Sequence, residues 1–166
     1  MKSIIKIISG AQTGADRAGL DFAIRNNIPH GGWVPKGRIA EDGIIPDIYN
    51  VVETKSAKYP PRTAANIKDA DATLIFTGNT LDRGTLLTIK LCKSMNKPYL
   101  LINVEKMAAL NEYSIETRII SDWLDKIKPE SLNIAGNRES YLPGMYKWVM
   151  DLLQAVREVS DYFNLV

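Results

Sequence analysis

Two glycine-containing loops each follow an apolar run, an arrangement that can bind a phosphate group. The first loop is SGAQTG at 9–14 and the second is TGNTLDRGT at 77–85. Each leads into a segment of helical periodicity, whose unpaired N–H groups and dipole favour an anion. The candidate ligand-binding residues of these loops are Gly10, Gln12, Thr13, Gly14, Gly78, Asn79, Thr80, Gly84 and Thr85.

Neither loop matches a common nucleotide signature. Gly10 and Gly14 lack the spacing of the dinucleotide fingerprint and the Gly-Lys-Ser/Thr of a P-loop. Taken alone, a single glycine motif is better explained by structure, with Gly10 in a tight turn and Thr13 or Asp16 as a helix cap. A third loop, AGNRES at 135–140, also follows an apolar run. Ligands of open α/β sheets bind at the carboxyl ends of the strands, so we expect the three loops to converge on one site.

Four cations are candidates for holding the anion: Arg17, Lys36, Arg38 and Arg62. Arg17 is placed unfavourably for the helix dipole in a first turn, where Asp16 complements that dipole. Lys36 and Arg38 precede Glu41 and Asp42 in a loop that either binds an oxyanion or forms solvated ion pairs worth about 0 to 1 kcal/mol. Arg62 lies on a helix that leads to the second glycine loop, or else is a surface arginine.

No metal site is expected from the residue types. The chain has one histidine, His30, and one cysteine, Cys92. A lone histidine is more often a turn or packing residue, and a lone cysteine on an apolar helix face is a small buried group. Trp33 could stack on a flat heterocycle, although large aromatic side chains more often pack in a core.

Apolar runs of strand length alternate with segments of helical period, which predicts a three-layer α/β/α, Rossmann-like sandwich with a mostly parallel open sheet. The predicted strands are 4–8, 31–34, 72–77, 99–103 and 132–135, with a brief strand at 50–54. The predicted helices are 16–26, 62–70, 84–95, a helix from about 119 to 127, and 145–159. Residues 35–61 are expected to form a long loop, and such loops usually carry function.

Length and composition indicate one domain over residues 1–166. The chain is 45% hydrophobic and 24% charged, which suits a compact core without disulfides. A net charge of +2 with dispersed cations does not indicate a specific nucleic-acid partner. No apolar run reaches the length of a membrane span and no signal-peptide pattern is found, so we expect a cytoplasmic protein with no membrane partner.

Five segments together resemble the molybdenum carrier family, within the Rossmann-like SLOG group that includes the LOG phosphoribohydrolases and the DNA-processing protein A domains. They are SGAQTGADRAGLDFA, PHGGWVPKGRIAEDG, RTAANIKDADATLIFTG, RGTLLT and LNIAGNRES. The resemblance runs from Ser9 to about Tyr146. It implies a binding protein for a phosphate-bearing small molecule, a nucleotide or a pterin such as the molybdenum cofactor (molybdopterin). It also implies a homo-oligomer, because related proteins commonly self-associate.

Comparison with the LOG enzymes implies an alternative activity. Arg62, Asp71 and Gly84-Thr85 resemble parts of the LOG motif, but Thr88 stands where its catalytic glutamate would be. A nucleotide N-glycosidase of this kind therefore needs a carboxylate from Glu41, Asp42 or Asp82. Asn137 replaces a proline expected in the third loop, which predicts a looser loop. A non-catalytic adaptor is the third possibility.

Overall fold

Strands and helices alternate along most of the chain. The structure, a computed structural model, describes residues 6–110 and 113–163. The strands are β1 (Lys6–Ile8), β2 (His30–Gly31), β3 (Trp33–Val34), β4 (Ile39–Ala40), β5 (Gly43–Ile44), β6 (Val52–Glu53), β7 (Ala72–Thr77), β8 (Tyr99–Asn103) and β9 (Ser131–Gly136). The helices are α1 (Ala15–Arg25), α2 (Tyr59–Asp69), α3 (Arg83–Ser94), α4 (Val104–Leu110), α5 (Ser114–Ile127) and α6 (Met145–Val159), and a 3-10 turn spans Asp161–Phe163.

Five parallel strands form the central sheet in the order β2, β1, β9, β7, β8. Alternate side chains of β7 point to opposite faces. Leu74 belongs to the main core, which α1, α4, α5 and α6 cover. Thr73 faces the other way and lies against Cys92 of α3. The structure thus confirms the predicted α/β sandwich with a parallel open sheet.

The segment between β2 and α2 is more ordered than the predicted loop. β3 pairs with β6 in a two-stranded parallel sheet, and β4 pairs with β5 in an antiparallel hairpin. A small second core holds this segment against α1, formed by Ala11, Leu20, Val34, Ala40, Ile45, Tyr49 and Val51. The predicted strand at 31–34 is two short strands, because the chain leaves the central sheet at Gly32.

Several predicted bounds are confirmed, and others shift. β7, β8 and α6 have the predicted limits. α2 begins at Tyr59, because the two following prolines fit a helical first turn. The short helix α4 was not predicted. Ile4 and Ile5 of the first predicted strand lie outside the described residues. No helix in the described part of the chain is long and apolar enough to cross a membrane.

Candidate functional site

The three predicted loops meet at one edge of the sheet, because β1, β9 and β7 are neighbours whose carboxyl ends lie together. The Ala15 N–H donates to the carbonyl of Asn137 at 3.2 Å. The Glu139 N–H donates to the Thr13 hydroxyl at 3.1 Å. The Gly78 N–H donates to the side-chain oxygen of Asn137 at 3.1 Å. The loop after β9 therefore bridges the other two.

Asn137 does not loosen its loop. It is completely buried, and besides Gly78 its side-chain amide contacts the Thr85 hydroxyl at 3.3 Å. Gly14 completes this junction. Its φ is 77° and a Cβ there would lie 2.8 Å from the backbone nitrogen of Glu139. The bare backbone at Gly14 is needed for loop contact.

A cavity of about 280 Å³ opens beside this junction, between the first turns of α2 and α3 and the carboxyl end of β9. Its lining includes five charged side chains: Asp16, Arg62, Asp82, Arg83 and Arg138. Of the predicted ligand-binding residues, Gly10, Gln12, Arg62 and Gly84 also line it. Three cations and two carboxylates thus surround one small space.

Asp16 and Arg62 form a buried ion pair in the cavity wall. The Asp16 carboxylate lies 3.6 Å from Nη1 of Arg62, and both side chains are 11% exposed. The Gln12 N–H donates to the same carboxylate oxygen at 3.3 Å. Burial raises the pKa of Asp16 to about 6, and the Asp82 carboxylate adds to the shift, against the opposing effects of Arg62 and the Gln12 N–H.

Arg62 is fixed from two further sides. Its Nη1 donates to the carbonyl of Gly10, and its guanidinium lies 5.2 Å from the centre of the Tyr59 ring. A Cβ at Gly10 would lie 2.7 Å from Cζ of Arg62. Glycine at position 10 therefore makes room for the arginine.

Helix α3 directs its N-terminus towards the cavity. Asp82 caps the helix, because its carboxylate accepts the Thr85 N–H at 2.7 Å. A Cβ at Gly84 would have no neighbour nearer than 3.7 Å, so the space beside this residue is open. The Thr88 hydroxyl donates a hydrogen bond to the Gly84 carbonyl at 2.9 Å, and Thr88 also lines the cavity.

Glu41 lies outside the cavity lining and joins the β4–β5 hairpin to the loop junction. It accepts hydrogen bonds from the Thr13 hydroxyl and from the backbone and hydroxyl of Ser140, and it pairs with Arg138 at 3.8 Å. Burial opposes ionisation, but the bonds from Ser140 and Thr13 outweigh it, so the pKa of Glu41 is below its usual value.

The other predicted cations are also placed outside the cavity lining. Arg17 makes a bidentate pair with Asp42, at 3.0 and 3.1 Å, and donates to the Ala11 carbonyl. Arg38 donates to four backbone carbonyls of its own segment, those of Ile45, Pro46, Tyr49 and Val51. Lys36 is exposed. Arg17 and Arg38 thus hold the hairpin segment in shape.

The second loop divides into two parts. Gly78 is buried at the junction, whereas Asn79 and Thr80 are exposed. The Asn79 N–H donates to Glu105 of α4, and the Thr80 hydroxyl lies 3.1 Å from that of Tyr141. Asn79 therefore contacts α4, whereas Thr80 contacts the segment that follows β9.

Three single residues from the sequence have structural partners. His30 accepts the Asn50 N–H at 3.2 Å, the Trp33 indole donates to Asp69 at 2.6 Å, and Cys92 is buried. Within residues 6–110 and 113–163, no three His, Cys, Asp or Glu side chains cluster as a metal site would require.

Sequence reasoning missed the role of Asp16 in the cavity, because a first-turn aspartate is already explained by the helix dipole. It also missed Asn133, a cavity residue between Leu132 and Ile134 of β9. A polar side chain inside an apolar strand is the signal that could have identified it.

Comparisons with known proteins agree with this fold. Residues 7–157 match the model of the circularly permutated YpsA SLOG family. A crystal structure of a protein named "Putative molybdenum carrier protein", from Syntrophus aciditrophicus SB, is similar to this chain at 42% identity and a TM-score of 0.88. The alignment covers 93% of this chain and 96% of that one. No match was found among curated proteins. The chain therefore belongs to the circularly permutated YpsA family of SLOG proteins.

Proposed function

We propose that this protein binds an anionic small molecule, the phosphate-bearing part of a nucleotide or of a pterin cofactor, in the cavity beside α3. The observation that carries the proposal is that three arginines, Arg62, Arg83 and Arg138, line one small cavity. Guanidinium groups match the geometry of phosphate and similar oxyanions. The N-terminus of α3 adds a favourable dipole at the same place.

All three arginines line the cavity, and two of them are more exposed than Arg62. Arg83 is exposed, and the side chain of Arg138 is 45% exposed, with an ion pair to Glu41 at 3.8 Å. An exposed pair of that length contributes little, about 0 to 1 kcal/mol, so an entering anion can replace it. Tyr59, Pro60 and Leu87 provide a less polar wall for a ring.

The size of the cavity favours a compact ligand. Its volume of about 280 Å³ is at the low end of ligand pockets, which run from about 300 to 1,000 Å³. A mononucleotide, a pterin phosphate or an oxyanion such as molybdate suits that volume better than a dinucleotide. The name of the similar crystal structure supports molybdenum as cargo, and we extend that cargo to this chain as part of the proposal.

Thermal unfolding against nucleotides, pterins, molybdate and tungstate tests the proposal. A ligand at 100 times its Kd stabilises by about 2.7 kcal/mol, which raises the unfolding midpoint by about 5 to 10 °C. If none of these ligands shifts the unfolding midpoint, the proposal is overturned and the adaptor alternative is favoured.

Two variants test whether the ligand binds in this cavity. Gly84→Leu adds a side chain beside the open space and should abolish the shift, since a Cβ there meets nothing nearer than 3.7 Å and the fold is not disturbed. Arg138→Ala should weaken it. Lys90→Leu, an exposed position on the same helix, is the control and should retain it. An unchanged shift in Gly84→Leu would exclude this cavity.

A second candidate is the nucleotide N-glycosidase, favoured by two carboxylates, Asp16 and Asp82, in the cavity lining. One carboxyl would protonate the departing base while the other assists the water that replaces it on the sugar. Release of free base from nucleoside monophosphates, lost in Asp82→Asn and retained in Glu41→Gln, would support this activity. No release across a broad panel would exclude it.

A further inference from the structure

We propose that the cavity binds an anion together with a proton, and that the Asp16 carboxylate takes up this proton as the anion contacts Arg62. The inference rests on the proposed function and adds a second bound species to the same site. It makes Asp16 a positioning residue, because it acts on the ligand through the guanidinium of Arg62.

The geometry shows a carboxylate with little compensation for its burial. Asp16 is 8% exposed, and its distance of 3.6 Å from Nη1 of Arg62 exceeds that of a good charge-assisted hydrogen bond, about 2.7 to 2.9 Å. Nη1 donates instead to the Gly10 carbonyl. The Gln12 N–H reaches the carboxylate at 3.3 Å, which is also long.

Charged groups on α1, on α2 and at the start of α3 act on Asp16. Arg62 from α2 and Arg17 from the same helix favour its ionised form, whereas Asp82 at the start of α3 disfavours it. Burial has the largest effect and raises the pKa of Asp16 to about 6. The carboxylate is therefore close to protonation before any ligand arrives.

An anion bound at Arg62 favours the protonated form of Asp16 over the ionised form. It places a further negative charge near Asp16 and competes for the guanidinium that stabilises the carboxylate. The lowest-energy outcome is transfer of one proton from solvent to Asp16, so that a neutral carboxyl remains beside the bound anion. No bond of the ligand is broken, and the net charge of the complex rises by one relative to binding without the proton.

Sulfate is a suitable probe, because it stays a dianion from about pH 5 to pH 8 and cannot itself supply the pH dependence. We would measure sulfate binding to the whole protein by calorimetry at about pH 7 in two buffers of different ionisation enthalpy. The difference in binding heat between the two buffers should correspond to the uptake of about one proton per sulfate bound. Affinity should fall about tenfold for each pH unit above about pH 6.

Asp16→Asn keeps the shape and cannot take up the proton. Its sulfate affinity should be independent of pH and, at about pH 7.5, about 30-fold higher than that of the unmodified protein. Asp122→Asn, which removes a carboxylate from an exposed ion pair with Arg118, should behave like the unmodified protein. If Asp16→Asn does not fold, the two-buffer measurement on the unmodified protein still decides the question.

The outcomes separate the two proposals. Sulfate binding without proton uptake, or with the same pH dependence in Asp16→Asn, would overturn this inference and leave the proposed function intact. Failure of sulfate and of every ligand in the thermal panel to bind would overturn both.

Discussion

The side-chain oxygen of Asn137 accepts the backbone N–H of Gly78 at 3.1 Å, and both residues are buried. This one bond joins the loop after β9 to the loop after β7. The carbonyl of Asn137 accepts the N–H of Ala15, the first residue of α1, directly after the loop that follows β1. The shape of the cavity rim therefore depends on a residue that does not itself line the cavity.

Asn137→Ala should destabilise the protein by about 1 to 3 kcal/mol, because the buried Gly78 N–H loses its acceptor. Denaturant unfolding measures the change. Asn79→Ala is the control from the neighbouring loop, where the side chain is exposed, and it should alter the free energy of unfolding by less than about 0.5 kcal/mol. Equal effects of the two substitutions would show that the Asn137 bond does not stabilise the fold.

Asp16→Asn should stabilise the protein at neutral pH. The folded-state pKa of about 6 lies above the ordinary value of 3.8, so the folded state binds the proton more tightly than the unfolded state does. The resulting penalty is absent below about pH 4, grows up to about pH 6, and then stays near 3 kcal/mol. Asparagine avoids it. The free energies of unfolding of the two proteins, measured from about pH 4 to 8, should coincide at the acid end and differ increasingly at higher pH. A constant difference across this range would contradict the raised pKa of Asp16.

Glu41→Gln should show the opposite pH dependence. The pKa of Glu41 is lowered in the folded protein, so its carboxylate stabilises the fold above the unfolded value of 4.5 and this contribution is lost as pH falls. The substitution should cost about 1.5 to 3 kcal/mol at neutral pH, the range for hydrogen bonds to charged groups, and nothing in strong acid. A cost that persists in acid would point to steric disruption by glutamine.

A comparison of Gly14→Ala with Gly43→Ala separates the energetic cost of an unfavourable φ from the cost of a steric clash with a neighbouring loop. Both glycines have positive φ, 77° and 115°, but a Cβ at Gly43 has nothing within 4 Å, whereas one at Gly14 meets the backbone of Asn137 and Glu139. Gly43→Ala should cost about 1 to 2 kcal/mol, and Gly14→Ala about 1 to 3 kcal/mol more. Equal losses in urea unfolding would show that the loop contact at Gly14 relaxes without cost.

Local patterns in the sequence were sufficient for the longer elements. The apolar run at 72–77 and the apolar stripe at 145–159 predicted the bounds of β7 and α6. They did so because the burial of these residues determines both the sequence pattern and the element that forms. The hairpin of β4 and β5 was not predictable. Its strands have two residues each, and Glu41 joins it to Thr13 and Ser140, which are distant in the sequence.

The site was predictable only where it depends on chain direction. Gly10 and Gly84 follow strand ends, and parallel strands bring such ends together. Arg17 and Arg38 were expected to contact a ligand, and in the structure each donates to backbone carbonyls. Charge alone does not show whether an arginine finds its acceptors within the chain. Whether a ligand also uses them stays a prediction.

The position of β9 has a consequence for how the protein is made. β9 is the last strand in the described part of the chain and lies between β1 and β7. A nascent chain that has emerged only as far as α5 holds β1–β2 and β7–β8 as two pairs with apolar edges and no strand to join them. The central sheet and the cavity can be completed only after β9 has left the ribosome, and until then the unjoined edges are open to wrong pairing.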